Sequence, residues 1–198
     1  MTPGEVIEAV IRHRGDAAVV TGPGAISGAL YSRAHAPATI YNMDLGYGVA
    51  MSVGVAMSAP NRRVVALEGD GSALAGLGVF TTMARYPLAN LAVIVLDNGA
   101  YGTSGEGWVK TATSSGTDLA AVARACGIDA AHVLSEVTTE TLDESVAKVL
   151  HEAGPWVLVV RVELDPMTSS KDRPRAGIDW ADAATSFRRE IQGRREPT

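Results

Sequence analysis

Cysteine is almost absent: the 198-residue chain carries one, Cys126. No intramolecular disulfide can form, and this usage suits a reducing compartment. Cys126 sits in "VARACGI" with no His or Lys beside it in sequence, which favours packing over nucleophilic chemistry. An excess of positive charge is missing too. The 17 Lys and Arg against 22 Asp and Glu leave a formal charge of −5 and a pI of about 5.3. Nucleic acid and anionic membrane surfaces are therefore poor partners. Long apolar runs are also lacking. The most apolar stretch, "LANLAVIVL", is about half the length of a membrane helix, and "MTPGEVIEAVIRHRG" is too charged for a signal peptide. These absences predict a cytoplasmic protein. The histidines are few: His13, His35, His132 and His151, without metal-ligand spacing, read as structural or solvated.

Strand and helix patterns alternate in what is present. "GEVIEAVIRHR" has helical spacing, "AAVVT" (Ala17 to Thr21) is a short buried strand, "AISGALYSRA" a helix and "ATIYN" a second strand. "GYGVAMSVGVAMSAP" predicts a helix of small residues stopping at Pro60. "RVVALEG" is a third strand, "GSALAGLGVFTTMARY" one helix, and "LAVIVLD" a strand apolar enough for burial on both faces. The Gly-, Ser- and Thr-rich "NGAYGTSGEGWVKTATSSG" reads as a loop. A helix over "TDLAAVARACG", capped by Thr117 or Asp118, comes next, then a strand at "AAHVL". "TTETLDESVAKVLHEAG" is a helix with Thr139 or Glu140 near its start, and "PWVLVVRVE" a last strand. The expected fold is α/β, a mostly parallel sheet with helices on both faces. Residues 1–163 form one domain, and 164–198 a more polar tail ending in a helix around "WADAATSFRREI".

The stretch "LEGDGSALAGLG" places Asp70 between two glycines at the end of the third strand. Asn98 ends the fourth strand, one strand–helix–strand crossover later. Ligands of open α/β sheets bind at the carboxyl ends of strands. Two hard oxygen donors at adjacent ends suit Mg²⁺ or Ca²⁺, which take remaining ligands from phosphate and water. Gly71 and Ser72 open the next helix, where backbone amides favour a phosphate. The bland reading of "DGS" is a turn aspartate before a helix cap. A generic nucleotide-binding domain fits less well, because Leu74 stands where G-x-G-x-x-G needs its third glycine and no P-loop lysine is present.

"GDGS" followed by "LDNGAYG" resembles the signature of thiamine-diphosphate (ThDP) enzymes. The run from "DLGYGVAMSVGVAMSAP" through "LDNGAYG", continued by "GTDLAAVARACGI", is similar to the diphosphate-binding half of 2-oxo acid decarboxylases, the sulfopyruvate and phosphonopyruvate decarboxylases above all. The resemblance implies Mg²⁺ held by Asp70, the Asn98 side chain and the Ala100 carbonyl. It implies cofactor contacts from Met43, Leu45, Gly69, Asp70, Gly71, Ser72, Asn98, Ala100, Tyr101 and Gly102. Leu45 matches the bulky residue that props the cofactor into its bent shape, and the Met43 carbonyl matches the acceptor for its amino group. "TGPGAIS" is a further candidate diphosphate contact.

Enzymes of this family pair a diphosphate-binding domain with a pyrimidine-binding domain that carries an activating glutamate. This chain has room for the first only. The resemblance thus implies the β subunit of a split decarboxylase, with the glutamate on a separate α subunit, in a hetero-oligomer such as α2β2. The implied reaction is non-oxidative decarboxylation of a small 2-oxo acid to an aldehyde. A carboligase subunit of the acetolactate-synthase type and a non-catalytic ThDP-binding regulatory subunit are the alternatives, and a transketolase-like enzyme fits less well. "GEGWVKT" departs from the relatives' pattern after "DNGAYGTSG". Glu106, Trp108 and Lys110 stand where a loop reaches substrate, and Lys110 reads more simply as a solvated lysine.

Overall fold

A computed structural model describes residues 1–102, 108–164 and 175–193. Helix α1 (Pro3–His13) opens on a capping box: Thr2 Oγ1 accepts from the Glu5 amide, and the Glu5 carboxylate accepts from the Thr2 amide. Strand β1 (Ala18–Thr21), helix α2 (Ala25–Ala34) and strand β2 (Thr39–Ile40) come next. Helix α3 (Gly48–Ser58) leads to β3 (Val64–Gly69), helices α4 (Asp70–Ala75) and α5 (Val79–Arg85), and β4 (Leu91–Asp97). A small hairpin, β5 (Ala100–Tyr101) with β6 (Val109–Lys110), precedes a 3-10 turn over Ala112–Ser115. The chain continues through α6 (Leu119–Ala125), β7 (Val133–Leu134), α7 (Leu142–His151), β8 (Trp156–Arg161) and α8 (Trp180–Gln192).

Six strands form one sheet in the order β2-β1-β3-β4-β8-β7, every pair parallel. Alternate residues of the central strands feed two cores. Val65 and Leu67 face α1, α2 and α7, while Val64 and Ala66 face α3, α5 and α6. Covered on both faces, β4 is buried along its whole length, as its unbroken apolar sequence requires. The chain leaves β1 toward β2 on one side and returns to β3 on the other. This reversal opens a crevice at the carboxyl ends of β1 and β3. Among the described residues, no helix is long and apolar enough to cross a membrane.

Several local expectations need correction. The single helix expected over "GSALAGLGVFTTMARY" is two helices broken at Gly76–Gly78, where the Gly46 carbonyl lies so close that a Cβ at Gly76 would overlap it. The expected loop after Asn98 contains the β5–β6 hairpin and the 3-10 turn. Most of "AAHVL" is also a 3-10 turn, over Ala130–His132, with only Val133–Leu134 in the sheet. The cap of α6, expected at Thr117 or Asp118, is Asp118 as one of the two alternatives had it, accepting from the amides of Ala120 and Ala121. Helix α7 starts at Leu142, later than Thr139 or Glu140.

Candidate functional site

Register carries the motif residues to one place. Gly69 pairs with Leu96, so Asp70 and Asp97 step off adjacent parallel strands side by side. A cavity of about 480 Å³ lies over these ends. Leu45, Gly69, Asp70, Gly71 and Ser72 line one wall; Asn98, Ala100, Tyr101 and Gly102 line another. Pro23, Ala25 and Ile26 of "TGPGAIS" complete the β1 side. Met43 is not among the lining residues: its amide donates to the Thr21 carbonyl, and it packs against the α3-side core. Leu45 is 45% exposed, projecting a large apolar side chain at the cavity. Lys110 is exposed, Trp108 half-buried, and Glu106 lies outside the described residues.

Asp70 is the first residue of α4 rather than the end of β3, with Gly69 as its N-cap. A Cβ on Gly71 would overlap the Tyr101 ring, so glycine lets the hairpin close down on the turn. The Ser72 hydroxyl accepts from the Gly46 amide at 3.0 Å, joining α4 to the segment that presents Leu45. Asn98 Oδ1 accepts from the Ala100 amide at 3.0 Å, an Asx turn that fixes both residues.

The Asp70 carboxylate is 1% exposed, and its Oδ2 accepts from Thr111 Oγ1 at 2.5 Å and lies 2.9 Å from Thr113 Oγ1. Thr113 Oγ1 also lies 2.7 Å from Asp97 Oδ1. Asp97 Oδ1 takes the Gly99 amide at 3.1 Å as well, and Asp97 Oδ2 takes Arg161 at 2.6 Å. Each threonine has a single hydroxyl proton. Two protons therefore serve three hydroxyl–carboxylate contacts, and two buried carboxyls share one bridge. Burial pushes the Asp70 carboxyl above its ordinary range. The Thr111 and Thr113 hydroxyls oppose this, the Asp97 charge adds to it, and the Gly71 amide again opposes. Such a site is short of positive charge, and its donors are hard oxygens. The residues present therefore fit a divalent cation. Among the described residues no cluster of three or more His, Cys, Asp or Glu could hold a metal. The expected set of Asp70, Asn98 and a backbone carbonyl contains one carboxylate and so would not form such a cluster.

Glu68, two residues before Asp70, escaped the sequence reading. It is 0% exposed, and neither carboxylate oxygen makes a hydrogen bond of good geometry among the described residues, although the Ser72 hydroxyl and the Val49 and Gly48 amides lie close enough to act on it. Gly22 and Gly48 press on it from two sides, and a Cβ at either would overlap the carboxylate. Burial pushes its pKa up to about 7, against smaller lowering by the Ser72 hydroxyl and the Val49 and Gly48 amides. Its signal was available: a carboxylate in an otherwise apolar strand, "VVALEG", is a rare burial. Thr111, Thr113, Asp97 and Arg161 were missed as well. None of the four histidines lines the cavity, His35 Nδ1 lies 3.0 Å from the Tyr41 hydroxyl, and Cys126 is half-buried against the core.

The geometry defines a class: an open parallel α/β domain with a hard-oxygen crevice at its topological switch. Residues 23–160 match the family model "Thiamine pyrophosphate enzyme, C-terminal TPP binding domain", and the chain belongs to that family. It is similar to the sulfopyruvate decarboxylase subunit beta of Methanothermobacter thermautotrophicus, 31% identical over 97% of this chain and 98% of that one. The corresponding subunit of Methanococcus maripaludis is 35% identical over 60% of this chain and 57% of its own length. The phosphonopyruvate decarboxylase of Streptomyces viridochromogenes is 33% identical over 87% of this chain. The match spans only 42% of that enzyme, so the chain spans well under two thirds of several relatives. Among solved structures, the Rhodococcus jostii RHA1 ThDP-dependent 4-hydroxybenzoylformate decarboxylase superposes with a TM-score of 0.69 at 23% identity. The superposition covers 86% of this chain and 33% of that one, and supports the fold.

Proposed function

We propose that the chain is the diphosphate-binding β subunit of a split, cytoplasmic, ThDP- and Mg²⁺-dependent 2-oxo acid decarboxylase of the sulfopyruvate/phosphonopyruvate type. The observation that carries this reading is the convergence of Asp70, Asn98 and Ala100 on one cavity at the switch point of a chain in this family. The near end-to-end match to a subunit named beta supports a separate α subunit with the pyrimidine-binding domain and the activating glutamate. Residues 1–163 act as the domain and 164–198 as a tail.

Asp70, the Asn98 side chain and the Ala100 carbonyl would hold Mg²⁺ at the diphosphate. Gly69, Gly71 and Ser72 contact the diphosphate from the β3 side, and Tyr101 and Gly102 from the hairpin side. Leu45 would support the bent form of the cofactor, and the Met43 carbonyl, which lies outside the cavity lining of this chain, would accept from its amino group. Bound ThDP supplies the nucleophilic carbon and the electron sink for loss of carbon dioxide. The protein's part is to hold the cation that offsets the diphosphate charge, orient the cofactor and keep water from the reacting carbon.

The test is carbon dioxide release from sulfopyruvate, phosphonopyruvate and pyruvate. Activity is expected from the chain with its co-purified companion, ThDP and Mg²⁺, and none from the chain alone. Turnover by the pure chain would overturn the split-enzyme reading. A longer hydroxyketone in place of an aldehyde would make the enzyme a carboligase.

A further inference from the structure

We propose that Thr111 and Thr113 are positioning residues of the cation site, a hydroxyl bracket that immobilises one oxygen of Asp70 and locks the Asn98–Ala100 turn against the end of β3. This inference rests on the reading of Asp70 as a cation ligand. The two threonines flank Ala112 where the return arm of the hairpin enters the 3-10 turn. Both are buried. Both hydroxyl contacts to Asp70 fall on Oδ2, so Oδ1 is left for the cation.

Thr111 ties two strand ends at once. Its hydroxyl donates to Asp70 beyond β3, while its amide donates to the Gly99 carbonyl beyond β4 at 3.0 Å. Ser114 Oγ donates to the Thr111 carbonyl at 2.8 Å, so the residue is held by backbone and side chain together. Thr113 Oγ1 stands between Asp70 Oδ2 and Asp97 Oδ1, at 2.9 and 2.7 Å, and its one proton serves either carboxylate in turn. Asp97 is committed on both oxygens, to Thr113 and the Gly99 amide through one and to Arg161 through the other. It is therefore an anchor and not a further ligand. The chain of contacts runs Arg161–Asp97–Thr113–Asp70, from the end of β8 to the proposed ligand. A ligand carboxylate held this way cannot swing away in the cation-free state, and the turn carrying the other two donors moves with it. Groups that orient a metal ligand change affinity by about 10- to 100-fold when removed.

The test uses the protein as isolated from its host, stripped of metal and resupplied with ThDP. Mn²⁺ binding is followed by electron paramagnetic resonance at a temperature where circular dichroism shows every variant folded. Thr111→Val and Thr113→Val are each expected to weaken Mn²⁺ about tenfold, and Thr111→Ser and Thr113→Ser to restore it. In the metal-free protein, hydrogen exchange at the Gly99 and Thr111 amides is expected to quicken about tenfold in the valine variants. Folded valine variants with unaltered Mn²⁺ affinity would overturn the bracket and leave the Asp70 reading standing. Failure of the unaltered protein to bind Mn²⁺, or equal binding by Asp70→Ala, would overturn the cation reading and the bracket with it.

Discussion

Two carboxyl groups stand two residues apart at the end of β3, both buried, and the fold treats them oppositely. Asp70 faces a cavity, two threonine hydroxyls and a second carboxylate, and carries unspent acceptor capacity. Glu68 is pressed between two glycines, and the donors beside it, the Ser72 hydroxyl and the Val49 and Gly48 amides, make no hydrogen bond of good geometry to it. Burial raises both pKa values. Only one of them has surroundings that a cation can complete. Buried charge marks a binding site when donors converge on it from several elements. A carboxyl that merely fills space between close-packed backbones holds its proton instead.

The largest expected effect breaks the Asp70 side of that contrast. Asp70→Ala should weaken Mg²⁺-dependent ThDP binding by on the order of 1,000-fold, about 4 kcal/mol, in a calorimetric titration. Unchanged affinity would remove Asp70 from the site.

On the Glu68 side, the folded chain holds the proton to about pH 7, whereas an unfolded chain releases it near 4.5. Between those values the unfolded state binds fewer protons, so stability falls as pH rises from 4.5 to 7 and stays low above it. Glu68→Gln should therefore gain about 3 kcal/mol over the unaltered, cofactor-free chain at pH 8, read by urea unfolding, and flatten the slope in that window. A slope unchanged by the substitution would mean that Glu68 is ionised and satisfied in the fold.

Gly48→Ala sharpens the same point with a smaller effect. The new Cβ meets the Glu68 carboxylate, and such overpacking costs about 1–3 kcal/mol. Glu68→Ala in the same chain should recover much of it, a coupling that a double-mutant cycle measures. Additive losses would show that the glycine is needed for another reason.

The smallest effect on stability belongs to Leu45→Ala. A half-exposed leucine at the cavity mouth should change stability by less than about 0.5 kcal/mol, while kcat of the assembled enzyme falls about tenfold. Equal losses in stability and kcat would make Leu45 a packing residue.

The sequence disclosed Asp70 and Asn98 because strand ends are readable. Two apolar runs one crossover apart can be neighbours in a parallel sheet, as β3 and β4 are and β2 and β3 are not, and the residues just past neighbouring runs stand at the same edge. Paired motifs then narrowed the cofactor. Thr111 and Thr113 were hidden because they reach Asp70 across 41 and 43 residues, through a hairpin that a Gly- and Ser-rich stretch disguises as loop. Asp97 and Arg161 lie inside the predicted strands "LAVIVLD" and "PWVLVVRVE", where neither is singled out by its neighbours in sequence. Their pairing depends on the register between strands far apart in sequence. The break between α4 and α5 was missed for a related reason. Helical periodicity runs through Gly76 and Gly78, and the cause of the break, the approach of Gly46, is tertiary.

Native mass spectrometry of the protein purified gently from its own host tests the central claim most directly. A hetero-oligomer with a companion chain of similar mass, retaining ThDP and Mg²⁺, is the expected result. A homo-oligomer with neither companion nor cofactor would contradict it.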